Sequence, residues 1–222
     1  MKSIFNYDNK FMQLLMTAGD MIILNFMFLL FSLPIVTIGA AQAGLLTGLR
    51  KLTDKEDDTS PAAAFMKGFS NGFTKITVAF SIMLVLIVLS GYSAASVAFF
   101  DMSGVKGAPV VLSVIGLCIT AILQTMISAF HSKFVCTLGQ LFKNSGLMIL
   151  AHPLRSILMA ALVWSPILLF LGDLRIFILI TPLFITLYFS FMHLLANSLM
   201  RKPFDSLVKL MQERQKEAEV TE

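Results

Sequence analysis

Two polar residues, Asp20 and Asn25, lie in a long apolar stretch of the sequence and have types that can perform chemistry inside a membrane. Asp20 lies about 13 Å along a helix that begins at Phe11, at about 1.5 Å per residue. An ionisable group at such depth is costly and is a functional hypothesis, either a proton or ion site or an anchor to a neighbouring helix. The other interpretation of Asp20 is an ordinary charge near the interface, because the helix can begin after Phe11. Asn25 lies deeper, where amides more often join helices than bind ligands.

The other reactive residue types do not form a recognisable catalytic or metal site. The histidines are scattered and have no cysteine or carboxylate at metal-ligand spacing: His131, His152 and His193. Cys118 and Cys136 form no CxxC pair. No serine lies in a nucleophile elbow, and no glycine-rich loop has the P-loop pattern. We therefore expect a protein without enzymatic activity that requires no metal or cofactor.

The composition favours a membrane protein over a soluble one. Apolar residues make up 57% of the 222 residues and charged residues only 14%, whereas soluble domains contain about 25% charged residues. Too few charges remain to cover a surface that faces water. The net charge of +4 is better explained by anionic lipid headgroups than by nucleic acid, because the basic residues lie beside apolar runs. The first expected partner is therefore the lipid bilayer, and no nucleic acid is expected.

The apolar runs predict an all-α polytopic bundle formed by one domain, residues 1–222. We predict six membrane segments, at about 11–33, 35–50, 76–100, 109–130, 156–172 and 176–197. Pro34 separates the first two, because proline ends or kinks a helix. The second would be only about 22 Å long, which indicates a tilted or re-entrant segment. The alternative is five crossings, with this second segment lying as a helix at the interface.

The distribution of lysine and arginine predicts the orientation. Under the six-segment topology, all of the 17 basic residues except Lys106 and Arg175 lie on one side. Cytoplasmic loops carry the excess of positive charge. Both termini are therefore predicted to be cytoplasmic. Residues 200–222 form an amphipathic and polar cytoplasmic tail.

Two further patterns concern helix packing. Ala40, Gly44 and Gly48 recur every four residues, and small residues on one face allow close approach of another helix. We expect packing within the chain, with dimerisation as the alternative. Phe65, Phe69 and Phe73 follow the N-cap pair Ser60–Pro61 at the spacing of one helical face. Together with Lys67 they predict an amphipathic helix at the inner membrane surface, with the phenylalanines at the interface or against neighbouring helices.

The first third of the chain resembles the YesL family of uncharacterised bacterial membrane proteins. The resemblance lies in GD at 19–20, Asn25, LPIVTIGAA at 33–41 and FMKGFSNGFTKI at 65–76. It implies a multi-pass protein of the bacterial cell membrane. Members often accompany genes for carbohydrate uptake, including ABC-type sugar transporters. The resemblance assigns no catalytic residues.

The function expected from these observations is an accessory or regulatory component of carbohydrate uptake or other membrane transport. The alternative is a small transporter or channel that uses Asp20 and Asn25 within the bundle. A polar cavity at the midplane would favour the alternative, and a packed interior would favour the accessory role. The sequence does not indicate the transported substrate or the oligomeric state.

Overall fold

The computed structural model describes residues 10–53, 59–99, 107–172 and 174–221. Within these ranges the chain is helical and contains no strand. The predicted outward charge Lys106 and the acidic loop 54–58 lie outside them. The α-helices are α1 (Lys10–Phe31), α2 (Ile38–Thr53), α3 (Pro61–Ser70), α4 (Phe73–Phe99), α5 (Gly107–His131), α6 (Leu138–Ala151), α7 (Pro153–Gly172), α8 (Leu174–Leu183) and α9 (Phe189–Thr221). A 3₁₀ turn, Ile35–Thr37, precedes α2, and a π-helical segment, Phe184–Tyr188, joins α8 to α9.

The helix α2 is the centre of the bundle. Ten of its residues between Gly39 and Leu49 are buried, and it contacts α1, α3, α4, α5 and α9. One side of α2 contributes Ala40, Ala43 and Leu46 to a core shared with α4, α5, α6, α7 and α9. The other side contributes Ala41, Leu45 and Leu49 to a second core with α1 and Phe65 of α3. The small and aliphatic residues of α2 thus fill the space between two groups of helices.

Four helical stretches of the described chain are long and apolar enough to cross a membrane: Phe11–Phe31, Phe73–Ser93, Val110–His131 and Ile178–Leu210. The pair Leu138–Ala151 and Pro153–Ile167, bent by 111°, makes a fifth if it is one broken span. The predicted segment at 35–50 is not among them, because α2 has only 16 residues. Ten residues of α2 are buried by neighbouring helices.

Large apolar side chains cover the outer faces of α1, α4 and α5. Leu14 and Leu112 are each 68% exposed, and Phe26 and Val88 are each 61% exposed. Contiguous apolar patches of this extent are rare on soluble monomers. The surface is therefore compatible with a membrane protein.

The predicted inner helix is shorter than the phenylalanine spacing implied. α3 begins as predicted, with the Ser60 side chain accepting a hydrogen bond from the Ala63 N–H and Pro61 in the first turn. It ends at Ser70, and Phe73 begins α4. Gly72 between them has φ of +66°, a conformation that favours glycine and breaks the helix. The three phenylalanines therefore do not lie on one helix.

The predicted tail is continuous with the last apolar helix. α9 runs from Phe189 to Thr221 and contains Pro203. Phe204 is fully buried against Phe130 and Phe134, and the Lys133 Nζ lies 2.8 Å from the Asp205 carboxylate. These contacts hold the start of the tail against the segment that follows α5.

Candidate functional site

The Asn25 side chain forms three hydrogen bonds in the bundle interior. It is fully buried on α1. Its Nδ2 donates hydrogen bonds to the carbonyl oxygens of Phe184 at 3.0 Å and Ile185 at 2.8 Å. Its Oδ1 accepts a hydrogen bond from the Ser190 N–H at 3.1 Å. One side chain of α1 therefore bonds three backbone groups in and beside the π-helical segment.

The π-helical segment explains why those backbone groups need a partner. Pro182 precedes it and has no backbone N–H, and proline disturbs the regular hydrogen bonding of a helix. A π-helical turn changes the pairing from i→i+4 to i→i+5 and leaves donors or acceptors without their regular partner. A backbone group without a partner in an apolar interior is expensive. Asn25 supplies the missing bonds and thereby stabilises an irregular helix inside the bundle.

A second polar contact joins the central helix to α9. The Gln42 Nε2 and the His193 Nε2 are 3.2 Å apart, and both side chains are buried. The His193 Nδ1 lies 2.8 Å from the Phe189 carbonyl oxygen. Because a carbonyl only accepts, Nδ1 carries the hydrogen, and Nε2 of the neutral ring accepts from the Gln42 amide. The arrangement suits a neutral histidine with both nitrogens bonded, which is a structural role.

Two more polar contacts connect α7 to its neighbours. The Trp164 Nε1 donates to the Ala121 carbonyl at 3.2 Å and to the Thr125 hydroxyl at 3.1 Å, both on α5. The Ser165 hydroxyl and the Tyr188 hydroxyl are 2.8 Å apart. We call these contacts, with those of Asn25 and of the Gln42–His193 pair, the polar centre. Each contact of the polar centre joins two elements that are distant in the sequence.

Asp20 does not belong to the polar centre. It is half-buried, and among the described residues none forms a hydrogen bond or an ion pair with its carboxylate. It precedes Asn25 by five residues, which corresponds to a rotation of about 140° around the helix. The two residues that the sequence grouped as one candidate site therefore lie on different faces of α1.

We expect Asp20→Leu to change the free energy of unfolding by no more than about 0.5 kcal/mol, because a side chain without partners contributes little to stability. Thermal unfolding in detergent, followed by tryptophan fluorescence, measures the difference. A destabilisation as large as that of an Asn25 variant would show that Asp20 has a partner and is an anchor.

The small residues of α2 face other helices of the same chain. A Cβ added to Gly44 would lie 2.9 Å from the Phe65 carbonyl oxygen of α3, and one added to Gly48 would lie 2.6 Å from the Leu24 side chain and 3.0 Å from the Pro61 carbonyl. Ala40 belongs to the core on the other side of α2. At Gly44 and Gly48, α2 lies so close to α3 and α1 that an added Cβ would require neighbouring atoms to move.

The phenylalanines of the predicted amphipathic helix form a chain of aromatic contacts. Phe65 is fully buried, Phe69 is half-buried and Phe73 is exposed. The Phe69 ring centroid lies 4.8 Å from that of Phe31 on α1, and 5.3 Å from that of Phe73. Phe65 and Phe69 therefore pack α3 against α1, which is the second of the two positions expected for these phenylalanines.

We expect the Phe69→Asp variant to lose on the order of 2–4 kcal/mol of stability, because it removes aromatic contacts and places a carboxylate among rings. Met66→Asp is the matched control, since Met66 lies on the same helix and is 42% exposed. Chemical unfolding of the two variants in the same detergent gives the comparison. Equal losses would mean that Phe69 does not pack against the bundle.

Sequence reasoning did not find Gln42, Trp164 or Tyr188. Gln42 was embedded in a small-residue pattern, and nothing along the chain signals that His193 lies opposite it. The proline at 182 was the one available signal, because proline within an apolar helix predicts an irregularity that needs a hydrogen-bonding partner. Among the described residues, no group of three or more His, Cys, Asp or Glu side chains is placed to hold a metal ion.

One end of the bundle contains α3 and the C-terminal ends of α2 and α5, and we call it the α3 end. Two cavities lie there. One has a volume of about 320 Å³ and is lined by residues of α2, α3 and the end of α5. The other, about 720 Å³, lies between α6, the segment after α5 and Leu207 of α9. It includes Cys136, whose thiol pKa is raised by burial and lowered to a smaller extent by Lys75. Neither cavity is lined by Asn25, Gln42 or His193.

Comparison with curated proteins and with solved structures gave no match. Residues 21–94, about a third of the 222-residue chain, match a family described as "Protein of unknown function, DUF624". The matched region extends from the buried part of α1 through α2 and α3 into α4. It therefore contains Asn25, Gln42 and the close approach of α2 to α3, and the chain is similar over this region to an uncharacterised family.

Proposed function

We propose that the chain is a non-enzymatic integral protein of a bacterial cell membrane that assists or regulates a transport system for carbohydrates. The bonding of Asn25 carries the proposal. Both hydrogens of its amide are donated to backbone carbonyls of another helix. A residue that lines a solute path needs bonding capacity for the solute, and Asn25 has used its donors to hold the bundle together. The resemblance to the YesL family supports the link to carbohydrate uptake.

The proposed topology keeps six membrane segments with both termini in the cytoplasm. The second segment, α2, is then a short helix enclosed by protein. The α3 end is the cytoplasmic end, because Arg50, Lys51, Lys67 and Lys133 lie there and cytoplasmic loops are rich in such residues. The surface that meets a partner such as an ABC-type sugar transporter would include this end.

Cysteine labelling in intact cells tests the orientation. We expect a single cysteine at Lys143, on α6, to resist a membrane-impermeant maleimide and a single cysteine at Lys106 to react, because the first is proposed to be inside and the second outside. Both are introduced after replacing Cys118 and Cys136 with serine. The reverse pattern would invert the topology.

Two measurements together test the function. We expect gentle solubilisation of the native membrane to recover the protein with subunits of an ABC-type sugar transporter, and deletion of its gene to lower uptake through that transporter. The purified protein alone in proteoliposomes should move no sugar. Sugar flux by the purified protein, lost in an Asp20 or Asn25 variant that still folds, would instead establish the alternative function as a transporter.

A further inference from the structure

The outer face of α1 carries a carboxylate among exposed apolar side chains. Asp20 is close to the middle of the candidate span Phe11–Phe31. Its neighbours on the same face, one helical turn before and after it, are Met16 and Ile23, which are 42% and 51% exposed. Asp20 therefore lies within the apolar surface and not at its edge.

Asp20 has no partner within the described part of the chain. None of the described residues forms a hydrogen bond or an ion pair with its carboxylate, and it lines neither of the two cavities at the α3 end. A Cβ added to Gly19, beside it, would have nothing within 4 Å, so this side of α1 is open. Ionisable residues within membrane helices almost always face the bundle interior or a water-filled cavity and pair with another group. Asp20 departs from this rule, and a partner from another chain would restore it.

The Asp20 side chain is too short to reach the membrane surface along its own helix. α1 begins at Lys10, and the distance from Lys10 to Asp20 along the helix is about 15 Å. Long side chains near a helix end extend to the interface, but aspartate has one methylene group between its backbone and its carboxylate. An unpaired carboxylate at this position is costly in a bilayer whether or not the bundle around it is folded. Association with a group of opposite charge removes that cost.

We propose that the Asp20 face of α1 binds a transmembrane helix of a partner protein that carries lysine or arginine within its own apolar span. An ammonium or guanidinium group donates charge-assisted hydrogen bonds to a carboxylate, and the attraction is strong where the dielectric constant is low. The exposed apolar side chains beside Asp20 provide the remaining contact, and the open surface at Gly19 allows close approach of the two backbones.

The charge of Asp20 also selects against a second copy of this chain as the partner. In a two-fold symmetric dimer through this face, each Asp20 would lie near the Asp20 of the other copy, and two carboxylates that lie close together repel each other. The inference rests on the proposed function for the partner's identity, because a transport protein assisted by this chain is expected to carry the basic residue. The docking chemistry itself can be tested without that partner.

Synthetic transmembrane peptides take the place of the partner in the first experiment. The full-length protein is reconstituted in phosphatidylcholine liposomes with a polyleucine peptide that has one lysine at its centre. Energy transfer between a donor on the protein's tail and an acceptor on the peptide measures binding, and a peptide with leucine at the central position is the control. We expect the lysine peptide to bind about tenfold more tightly, which corresponds to one strong hydrogen bond between membrane helices.

Variants assign the binding to Asp20. Asp20→Leu is expected to bind the two peptides equally, and Asp20→Lys is expected to prefer a peptide with a central aspartate. Thr17→Leu is the matched control and should keep the preference for the lysine peptide, because Thr17 is an exposed residue of the same face and its replacement leaves the carboxylate in place. Equal binding of the lysine and leucine peptides by the unmodified protein, or an undiminished preference in Asp20→Leu, would overturn the proposal. Should Asp20→Lys fail to fold, the comparison of Asp20→Leu with Thr17→Leu decides the question.

Purification from the native membrane separates this inference from the proposed function. We expect Asp20→Leu to lose the transporter subunits that the unmodified protein and Thr17→Leu recover, and a recovered subunit to carry lysine or arginine within an apolar span. Recovery of the same subunits by Asp20→Leu would contradict the docking inference and leave the role in transport standing. Peptide binding that depends on Asp20, without recovery of a transporter subunit, would support the docking inference and contradict the proposed role.

Discussion

Replacing Gly44 with leucine is expected to separate α3 from α2 and to cost at least about 3 kcal/mol, because the added atoms have no space. Even a single Cβ would lie 2.9 Å from the Phe65 carbonyl oxygen and 3.2 Å from the Phe69 Cβ. A carbonyl within a helix cannot move without moving the helix. Gly44→Ala is therefore expected to destabilise as well, by a smaller amount. Thermal and chemical unfolding in detergent measure both losses.

Gly19 provides the matched control for Gly44. It also lies within an apolar helix, and a Cβ added to it would have nothing within 4 Å. Gly19→Ala should be neutral or should stabilise α1 by up to about 1 kcal/mol, because alanine favours helix more than glycine does. Gly44→Ala is thus expected to lower stability, whereas Gly19→Ala is expected to leave it unchanged or to raise it. If Gly44→Leu leaves stability unchanged but abolishes a dimer, the small-residue face packs between chains and not within one.

Replacing Asn25 with leucine is expected to cost on the order of 2–4 kcal/mol. Leucine has the same branching and the same number of heavy atoms as asparagine, but the substitution removes the partners of the Phe184 and Ile185 carbonyls and of the Ser190 N–H. Hydrogen bonds between helices in membranes contribute about 0.6 kcal/mol on average and up to about 1.7 kcal/mol. Asn25→Leu removes three such hydrogen bonds at one irregular segment, where no water replaces them, and their sum gives the expected loss of stability. Stability in detergent, compared with Asn197→Leu on α9, gives the measurement.

Asn25→Asp separates hydrogen bonding from packing. The carboxylate keeps an acceptor for the Ser190 N–H but offers no hydrogens to the two carbonyls and brings negative charge toward them. We expect Asn25→Asp to be at least as destabilising as Asn25→Leu, although its shape is closer to the original. Retention of full stability by the aspartate would show that the two amide hydrogen bonds are not important.

The sequence predicted the helical architecture because its apolar runs and prolines are local signals. Pro34 correctly separated α1 from the next helix, and the Ser60–Pro61 pair marked the start of α3. The end of α3 was missed because Phe65, Phe69 and Phe73 keep a helical spacing across the turn at Gly72. A side-chain pattern does not report the backbone conformation of a glycine between its members.

The burial of α2 was not predictable from its composition. A run such as GAAQAGLLTGL is compatible with a short crossing, an interfacial helix or an enclosed one, because all three bury small and aliphatic residues. What distinguishes them is the number of neighbouring helices, and that depends on tertiary structure. For the same reason, Asn25 was recognised as a helix tie while its partners in the π-helical segment, some 160 residues later, were not.

Asp20 shows that the sequence alone does not decide between the interpretations of a charged residue. A carboxylate in an apolar run is the strongest single signal in the sequence, because charge is so costly in lipid. The cost depends on exposure, however, and Asp20 is only half-buried. The uncharged Asn25 and Gln42 are less conspicuous in sequence, yet they lie where the helices meet.

Water access to α2 tests most directly whether the polar centre holds the bundle together or lines a path. Ala43 is fully buried on α2, next to Gln42, and cysteine is a small change there. We expect Ala43→Cys, in protein lacking Cys118 and Cys136 and reconstituted in liposomes, to stay unreactive toward a small water-soluble maleimide until the protein is denatured. A cysteine at exposed Gln140 should react at once under the same conditions. Reaction of the Ala43→Cys thiol in the folded protein at a rate near that of the Gln140→Cys control would contradict a packed interior and would favour a transport path.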